Sequence, residues 1–335
     1  MKKIIYIVGI GGRTGAMFCR ELQGACDIVG IGMAREAQMI AAGDLKLSRG
    51  GAGPEALKAE VVQPDEFAKS IEKKYPDFIW LAVRNPVAAA VKFYYSQFKG
   101  KEKIPALIIS QNGLSAIGDA HTALEEVLGQ DADKVIIIRV SLINGIDLII
   151  EGGTSVIQYK IPIKLGFGAV SGQSADLREI LLTGKIKIQE FQGADVFKME
   201  NSKLFTNLIG MAAAVNGLTV SVGFRDKNIF AQEVAMLKEY VVATKKSGGG
   251  FLDDYAGYSI KFLAGLMLLP VGLLMPFRTI FGCVVAKGRN RPKDLSEIDY
   301  YNGEVLKLGK QYNVPTPVNE TIVAKAKEIS AKSNN

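Results

Sequence analysis

Histidine is almost missing from this chain: His121 is the one imidazole among 335 residues. Cysteine is scarce too, with Cys19, Cys26 and Cys283 and no C-x-x-C spacing. That set is too small for a zinc centre of usual ligand count, so no metal site is expected, and a Ser-His-Asp hydrolase would be confined to His121. Three cysteines make no disulfide framework and fit a reducing compartment. Long apolar runs are short of membrane length. The uncharged stretch Phe262–Phe277 has sixteen residues and contains Pro270 and Pro276, whereas a spanning helix needs about 20. It reads as a core helix or a dimer surface, with peripheral membrane contact as the alternative, and no membrane span is expected. The net charge of +7, from 41 basic and 34 acidic residues, is a mild excess spread along the chain. It suits anionic small ligands and gives no case for nucleic acid.

What is present is ordinary globular composition, 48% apolar and 22% charged, in a chain long enough for two domains. The start, Lys2-Lys3-Ile4-Ile5-Tyr6-Ile7-Val8, has a short apolar stretch that runs straight into glycines with no small-residue cleavage site. It reads as a first strand of a cytoplasmic protein. Strand-like runs at 27–33, 77–83 and 106–110 alternate with helical patterns at 66–74 and 86–98, which predicts βαβ units and a mainly parallel sheet. Further strand-like runs lie at 135–140, 147–150 and 156–164. From Asn201 onward the pattern is helical, over 201–220, 230–246, 253–268, 274–286, 296–312 and 317–332. The expected fold is α/β: a dinucleotide-binding, Rossmann-type domain over 1–195 followed by an all-α domain over 196–335.

Between the first strand and the first helix lies Gly9-Ile10-Gly11-Gly12-Arg13-Thr14-Gly15. Glycines there allow a tight turn and let backbone N–H groups approach a pyrophosphate at a helix N-terminus. The spacing departs from G-x-G-x-x-G, with Thr14 at the third glycine position and Gly15 one residue later. After the second strand comes Arg35, a guanidinium suited to an adenosine 2′-phosphate, which points to NADPH. Glu36 follows at once and is the alternative, a carboxylate for a ribose hydroxyl. In the second half, Asn201–Asn216 is apolar nearly all round, with Lys203, Thr206 and Asn207 as polar exceptions. Lys203 and Asn207 are four apart and share a helix face. Two readings of Lys203 stay open on spacing alone: an acid/base group tuned by an apolar cleft, or a first-turn lysine that snorkels to water.

These motifs resemble, over nearly the whole chain, those of the ketopantoate reductase (2-dehydropantoate 2-reductase) family. Besides the glycine loop and Arg35, Leu81-Ala82-Val83-Arg84 resembles the family's strand ending in a basic residue near the cofactor. Ile109-Ser110-Gln111-Asn112-Gly113 resembles its QNG strand end, and Lys203/Asn207 its K-x-x-x-N helix. Leu295–Gly303 resembles its T-E-I-D-x-x-N-G motif, and Val314–Asn319 the turn before its last helix. The resemblance implies an N-terminal Rossmann domain and a helical C-terminal domain similar to that of 6-phosphogluconate dehydrogenases. It implies NADPH-dependent reduction of ketopantoate to pantoate, a step toward coenzyme A. Gly9, Gly11, Gly12, Arg13, Thr14, Gly15, Arg35, Arg84 and Asn112 would meet the cofactor. Lys203 would protonate the ketone oxygen and Glu297 would orient that oxygen or the lysine, while Asn112 and Asn207 hold substrate.

Three departures bear on the substrate. Met211 stands where the family often has a second asparagine. Thr279 is the best match to a substrate-contacting serine, without the Gln-Asp pair that accompanies it. Extra residues, Gly288–Asp294, precede Glu297. Another branched 2-oxo acid is therefore an alternative substrate, and a non-catalytic NADPH sensor a third reading. The basic run Lys287–Lys293 reads as a solvated loop, or else as a lid over cofactor phosphates. A homodimer would cover 262–277.

Overall fold

The computed structural model describes residues 2–151, 154–286 and 291–333. Ile4–Val8 forms strand β1, paired on both sides, and its last four residues are buried. A strand covered on both faces has no polar alternation, as this one has none. The other strands are β2 (Asp27–Ile31), β3 (Leu45–Arg49), β4 (Glu55–Ala56), β5 (Glu60–Val62), β6 (Phe78–Leu81), β7 (Ala106–Ile109), β8 (Ile137–Leu142), β9 (Ile146–Glu151), β10 (Thr154–Tyr159), β11 (Lys164–Ala169) and β12 (Lys187–Glu190). An eight-stranded sheet has the order β12-β11-β8-β7-β6-β1-β2-β5. Its pairs are parallel except β8 with β11. The chain runs from β1 to β2 on one side and returns to β6 on the other. That switch point is where open α/β sheets bind ligands.

The first helices are α1 (Arg13–Leu22), α2 (Ala34–Ala42), α3 (Phe67–Lys73), α4 (Ala88–Tyr95), α5 (Ala116–Leu128) and α6 (Ala175–Thr183). Successive residues of β1 feed opposite cores. Ile5 and Ile7 pack with Phe18, Trp80 and Leu165, and Tyr6 and Val8 with Phe67, Tyr94 and Leu124. A second, four-stranded sheet, β4-β3-β10-β9, joins the first of these cores through Leu45, Leu47, Ile157 and Tyr159. The single run read over 156–164 is two strands in two different sheets.

The remaining helices are α7 (Ala194–Leu208), α8 (Met211–Ala214), α9 (Val220–Gly223), α10 (Lys227–Lys246), α11 (Ile260–Leu266), α12 (Val271–Leu274), α13 (Arg278–Val285), α14 (Asn302–Gln311) and α15 (Pro317–Ser333). Packing divides the chain into two compact units, Met1–Gln111 with Ser115–Val196, and Asn112–Leu114 with Phe197–Asn335. In the second unit α10 packs against α8, α14 and α15. The helix read over 201–220 is broken: α7 stops at Leu208, Gly210 takes φ +93°, and α8 and α9 follow. Likewise 262–277 is no single core helix. It divides at Pro270 into α11 and α12, with Ala264, Met267 and Leu274 buried but Phe262, Leu273 and Phe277 more than half exposed. No single described helix is long and apolar enough to cross a membrane, and α11 with Val271–Val285 has that length and composition only as a pair bent by 119°.

One buried cation fixes the carboxyl end of β7. Arg139, on β8, is 1% exposed and donates to the carbonyls of Ile109 (2.9 Å) and Val140 (3.2 Å), and to that of Gln111. Truncation would leave buried carbonyls without donors. Arg139→Met should therefore lower unfolding free energy in urea by about 3 kcal/mol; an unchanged midpoint would show that these bonds carry no net stability.

Candidate active site

The glycine loop leaves β1 under tight backbone control. Gly9 and Ile10 N–H both donate to Ile31 O, at 2.9 and 3.1 Å, which ties the loop to the end of β2. Gly15 takes the close-packing role of a third glycine, since a Cβ there would stand 2.3 Å from Gly9 O. Thr14 beside it is half-buried and Gly12 and Arg13 are exposed. Arg13 opens α1 behind a glycine N-cap, and its guanidinium donates to Ile146 O at 3.4 Å. Arg35 is exposed, and it lies in the first turn of α2 rather than at a strand end, because β2 stops at Ile31. Arg84 is exposed after β6. Glu36 lies against the loop itself: a Cβ on Gly11 would fall 2.1 Å from Glu36 Cγ.

At the end of β7 the sequence Ser110-Gln111-Asn112 divides its labour. Gln111 is buried and structural: its Nε2 donates to Leu81 O (3.1 Å) and Val83 O (2.9 Å), binding the end of β7 to that of β6. Asn112 is half-buried and packs with the second unit. Its Nδ2 donates to Glu297 Oε2 at 2.8 Å and to Tyr301 Oη at 3.3 Å, while its Oδ1 accepts from Asn207 Nδ2 at 3.3 Å. Tyr301 Oη–H donates to Glu297 Oε2 at 2.6 Å. Asn112, Asn207 and Glu297, expected from sequence, thus meet in one hydrogen-bonded set. Lys203 is half-buried on α7, one turn before Asn207 and on the same face. Thr279 is exposed in the first turn of α13 and makes none of the bonds that join the set. Tyr301 was missed; its one signal was the aromatic four residues after Glu297.

The groups behind this set are buried and polar. Asn302, fully buried at the start of α14, donates to Asn319 Oδ1 at 2.8 Å. Asn319 Nδ2 donates to Met236 O at 3.0 Å and Glu239 Oε2 at 2.7 Å, and Glu239 also accepts the Val318 and Asn319 N–H groups at 2.9 and 3.0 Å. The N-G and V-N motifs therefore join α14, α15 and α10, which sets the height of Glu297 and Tyr301. Of the basic run, 287–290 lies outside the described residues. Lys293 is half-buried and donates to the carbonyls of Thr206 (3.3 Å) and Asn207, so at its end the run caps α7 rather than standing in solvent. Glu233, 1% exposed on α10, accepts the N–H groups of Gly210 and, at 3.0 Å, Ala212, satisfying the break that follows α7. Burial pushes its carboxyl up to about 7, against the pull of those two N–H groups and of Lys293.

Among curated protein sequences none matches this chain. Residues 276–330 match the protein family described as ketopantoate reductase PanE/ApbA C terminal. Among solved structures, a PanE/ApbA family ketopantoate reductase from Ralstonia eutropha JMP134 is 16% identical, with 99% of this chain and 100% of that one covered at a TM-score of 0.72. D-mandelate dehydrogenase in a ternary structure with NADH and anilino(oxo)acetate is 16% identical, with 99% of each chain covered at 0.71. A 2-dehydropantoate 2-reductase from Methylococcus capsulatus is 13% identical, covering 99% of this chain and 98% of that one at 0.69.

The Glu233 geometry makes a pH prediction. A carboxyl raised from 4.5 to about 7 on folding contributes stability that is complete below pH 4.5 and lost as pH rises through 7. At roughly 1.4 kcal/mol per pH unit, that loss is about 3 kcal/mol. Denaturant titrations from pH 4 to 8 should show it as the difference in slope between the parent and Glu233→Gln; parallel curves would refute it. Residues 276–330 thus match the ketopantoate reductase C-terminal family, and the chain as a whole has the fold of these solved structures.

Proposed function

We propose that the chain reduces a small 2-oxo acid to the 2-hydroxy acid, with ketopantoate as the first substrate to test and pantoate, on the way to coenzyme A, as the product. The observation that carries this is the set Asn207–Asn112–Glu297–Tyr301 with Lys203 one turn away on the Asn207 face. Reduction of a ketone builds negative charge on oxygen, which a cation and fixed donors stabilise. Lys203 supplies the cation and the proton. Glu297 accepts from Asn112 and Tyr301 and orients the donors, and Asn207 holds a substrate hydroxyl or carboxylate.

Hydride would come from a nicotinamide dinucleotide; the solved mandelate dehydrogenase neighbour carries NADH. The loop residues Gly9, Gly11, Gly12, Arg13, Thr14 and Gly15 fit such a group. Gly11 has its Cβ space taken by Glu36, and Glu36 Oε2 is a buried acceptor without a partner among the described residues. Of the two forms of that cofactor, Arg35 alone would favour NADPH and Glu36 alone NADH.

A second reading keeps the chemistry and changes the substrate to a bulkier 2-oxo acid. Met211, where the family often has a second asparagine, is apolar and fully buried, and Thr279 stands without the Gln-Asp pair that accompanies the family's serine. The mandelate dehydrogenase neighbour, solved with anilino(oxo)acetate, supports the same direction.

Loss of reduced-nicotinamide absorbance with ketopantoate and with aromatic and branched 2-oxo acids tests both readings. Lys203→Ala should lower kcat by about 10²–10⁴ with cofactor binding retained; parent turnover in that variant, or no 2-oxo acid reduced by the parent, would reject the assignment. A homodimer belongs to the same proposal, since Phe262, Leu273, Phe277 and Ile280 leave α11–α13 with large exposed apolar side chains. Sedimentation equilibrium should give a dimer at micromolar concentration and a weaker one for Leu273→Glu; a monomeric parent would remove the dimer.

A further inference from the structure

We propose that Glu36 sets the cofactor preference of the glycine loop, and sets it for the dinucleotide with a free adenosine 2′-hydroxyl, NADH, over its 2′-phosphorylated form. This rests on the reading that the loop holds a nicotinamide dinucleotide. Arg35 and Glu36 are adjacent, and each is suited to one of the two groups that distinguish the cofactors. The geometry separates them. Arg35 is exposed. Glu36 is half-buried with its stem laid across the loop: a Cβ on Gly11 would stand 2.1 Å from its Cγ and 2.8 Å from its Cβ. On the other side, a Cβ on Gly32, the residue after β2, would stand 3.2 Å from Glu36 Cβ. Both glycines leave room for this one side chain. The carboxylate is thus held between the loop and the end of β2, the place from which dinucleotide folds read the adenosine ribose.

The second observation is chemical. Glu36 Oε2 is buried and has no hydrogen-bond partner among the described residues. An orphaned carboxylate oxygen is costly unless a donor arrives. A ribose hydroxyl brings that donor. A 2′-phosphate brings only acceptors and a second negative charge, which the carboxylate repels. Arg35 offers the phosphate an attraction that this repulsion opposes, so removing the acid while keeping its size should release the arginine's preference.

Isothermal titration of NADH and NADPH onto the full chain, without substrate, tests this by binding alone. The parent should bind NADH about tenfold or more tighter than NADPH. Glu36→Gln should lose about tenfold in NADH affinity and gain in NADPH affinity, and adding Arg35→Ala should take that gain away. Tighter NADPH binding by the parent, or an unchanged ratio in Glu36→Gln, would overturn the assignment while leaving the loop a dinucleotide site. Binding of neither by the parent would overturn both together.

Discussion

The carboxamide of Asn112 is the point at which three segments far apart in sequence agree on one geometry. Glu297, as a carboxylate, can only accept, so the amide must present Nδ2 to it at 2.8 Å. That leaves Oδ1 for Asn207, whose own Nδ2 must then donate. Tyr301 is constrained in the same way. Its hydroxyl hydrogen goes to Glu297, and its oxygen is therefore the acceptor that Asn112 meets at 3.3 Å. One acceptor-only group fixes every donor direction in the set. Replacing Glu297 would free all of them at once, so the set acts as a unit rather than as separable contacts.

Within each unit, buried polar groups fix the segments that lead to these residues. Arg139 and Gln111 fix the chain up to the residue before Asn112 by holding carbonyls at the ends of β6 and β7. Lys293 and Glu233 hold the far end of α7, the first taking its last carbonyls and the second the N–H groups beyond its break. Asn302 and Asn319 fix the start of α14. Most of these supports are buried and polar. Their hydrogen bonds fix the course of the chain at each of these points, which is what a site needing fixed donors requires.

These supports explain what the sequence made legible and what it hid. β1, β6 and β7 were legible because strands covered on both faces read as unbroken apolar runs. Half of the second sheet was legible too, since the runs at 147–150 and 156–164 cover most of β9 and of β10, but β3 and β4 were not. In β3, Leu45 and Leu47 are buried but Lys46 and Arg49 are not, and β4 is two residues long. The break at Gly210 was hidden because the apolar run continues through it, and the carboxylate that satisfies it lies at position 233. Lys203, Asn207, Asn112 and Glu297 could be found because each sits in a local pattern. Arg139 and Glu233 act through partners set by the tertiary fold, and no local spacing marks them; Tyr301 has only its place four residues after Glu297.

The pair Arg35–Glu36 shows the limit most sharply. Read along the sequence, both follow the second strand and either could face a ribose. What separates them is where α2 begins. With Ala34 as its first residue, Arg35 and Glu36 are successive positions of a helix and differ by about 100° in direction. Only one of them can then lie over Gly11, and Glu36 does. Had β2 run on to Met33, as the apolar residues suggest, the alternation of a strand would have governed the choice instead. Gly32 leaves the room for this approach of Glu36, since a Cβ there would crowd Ile10 at 3.0 Å and Glu36 Cβ at 3.2 Å.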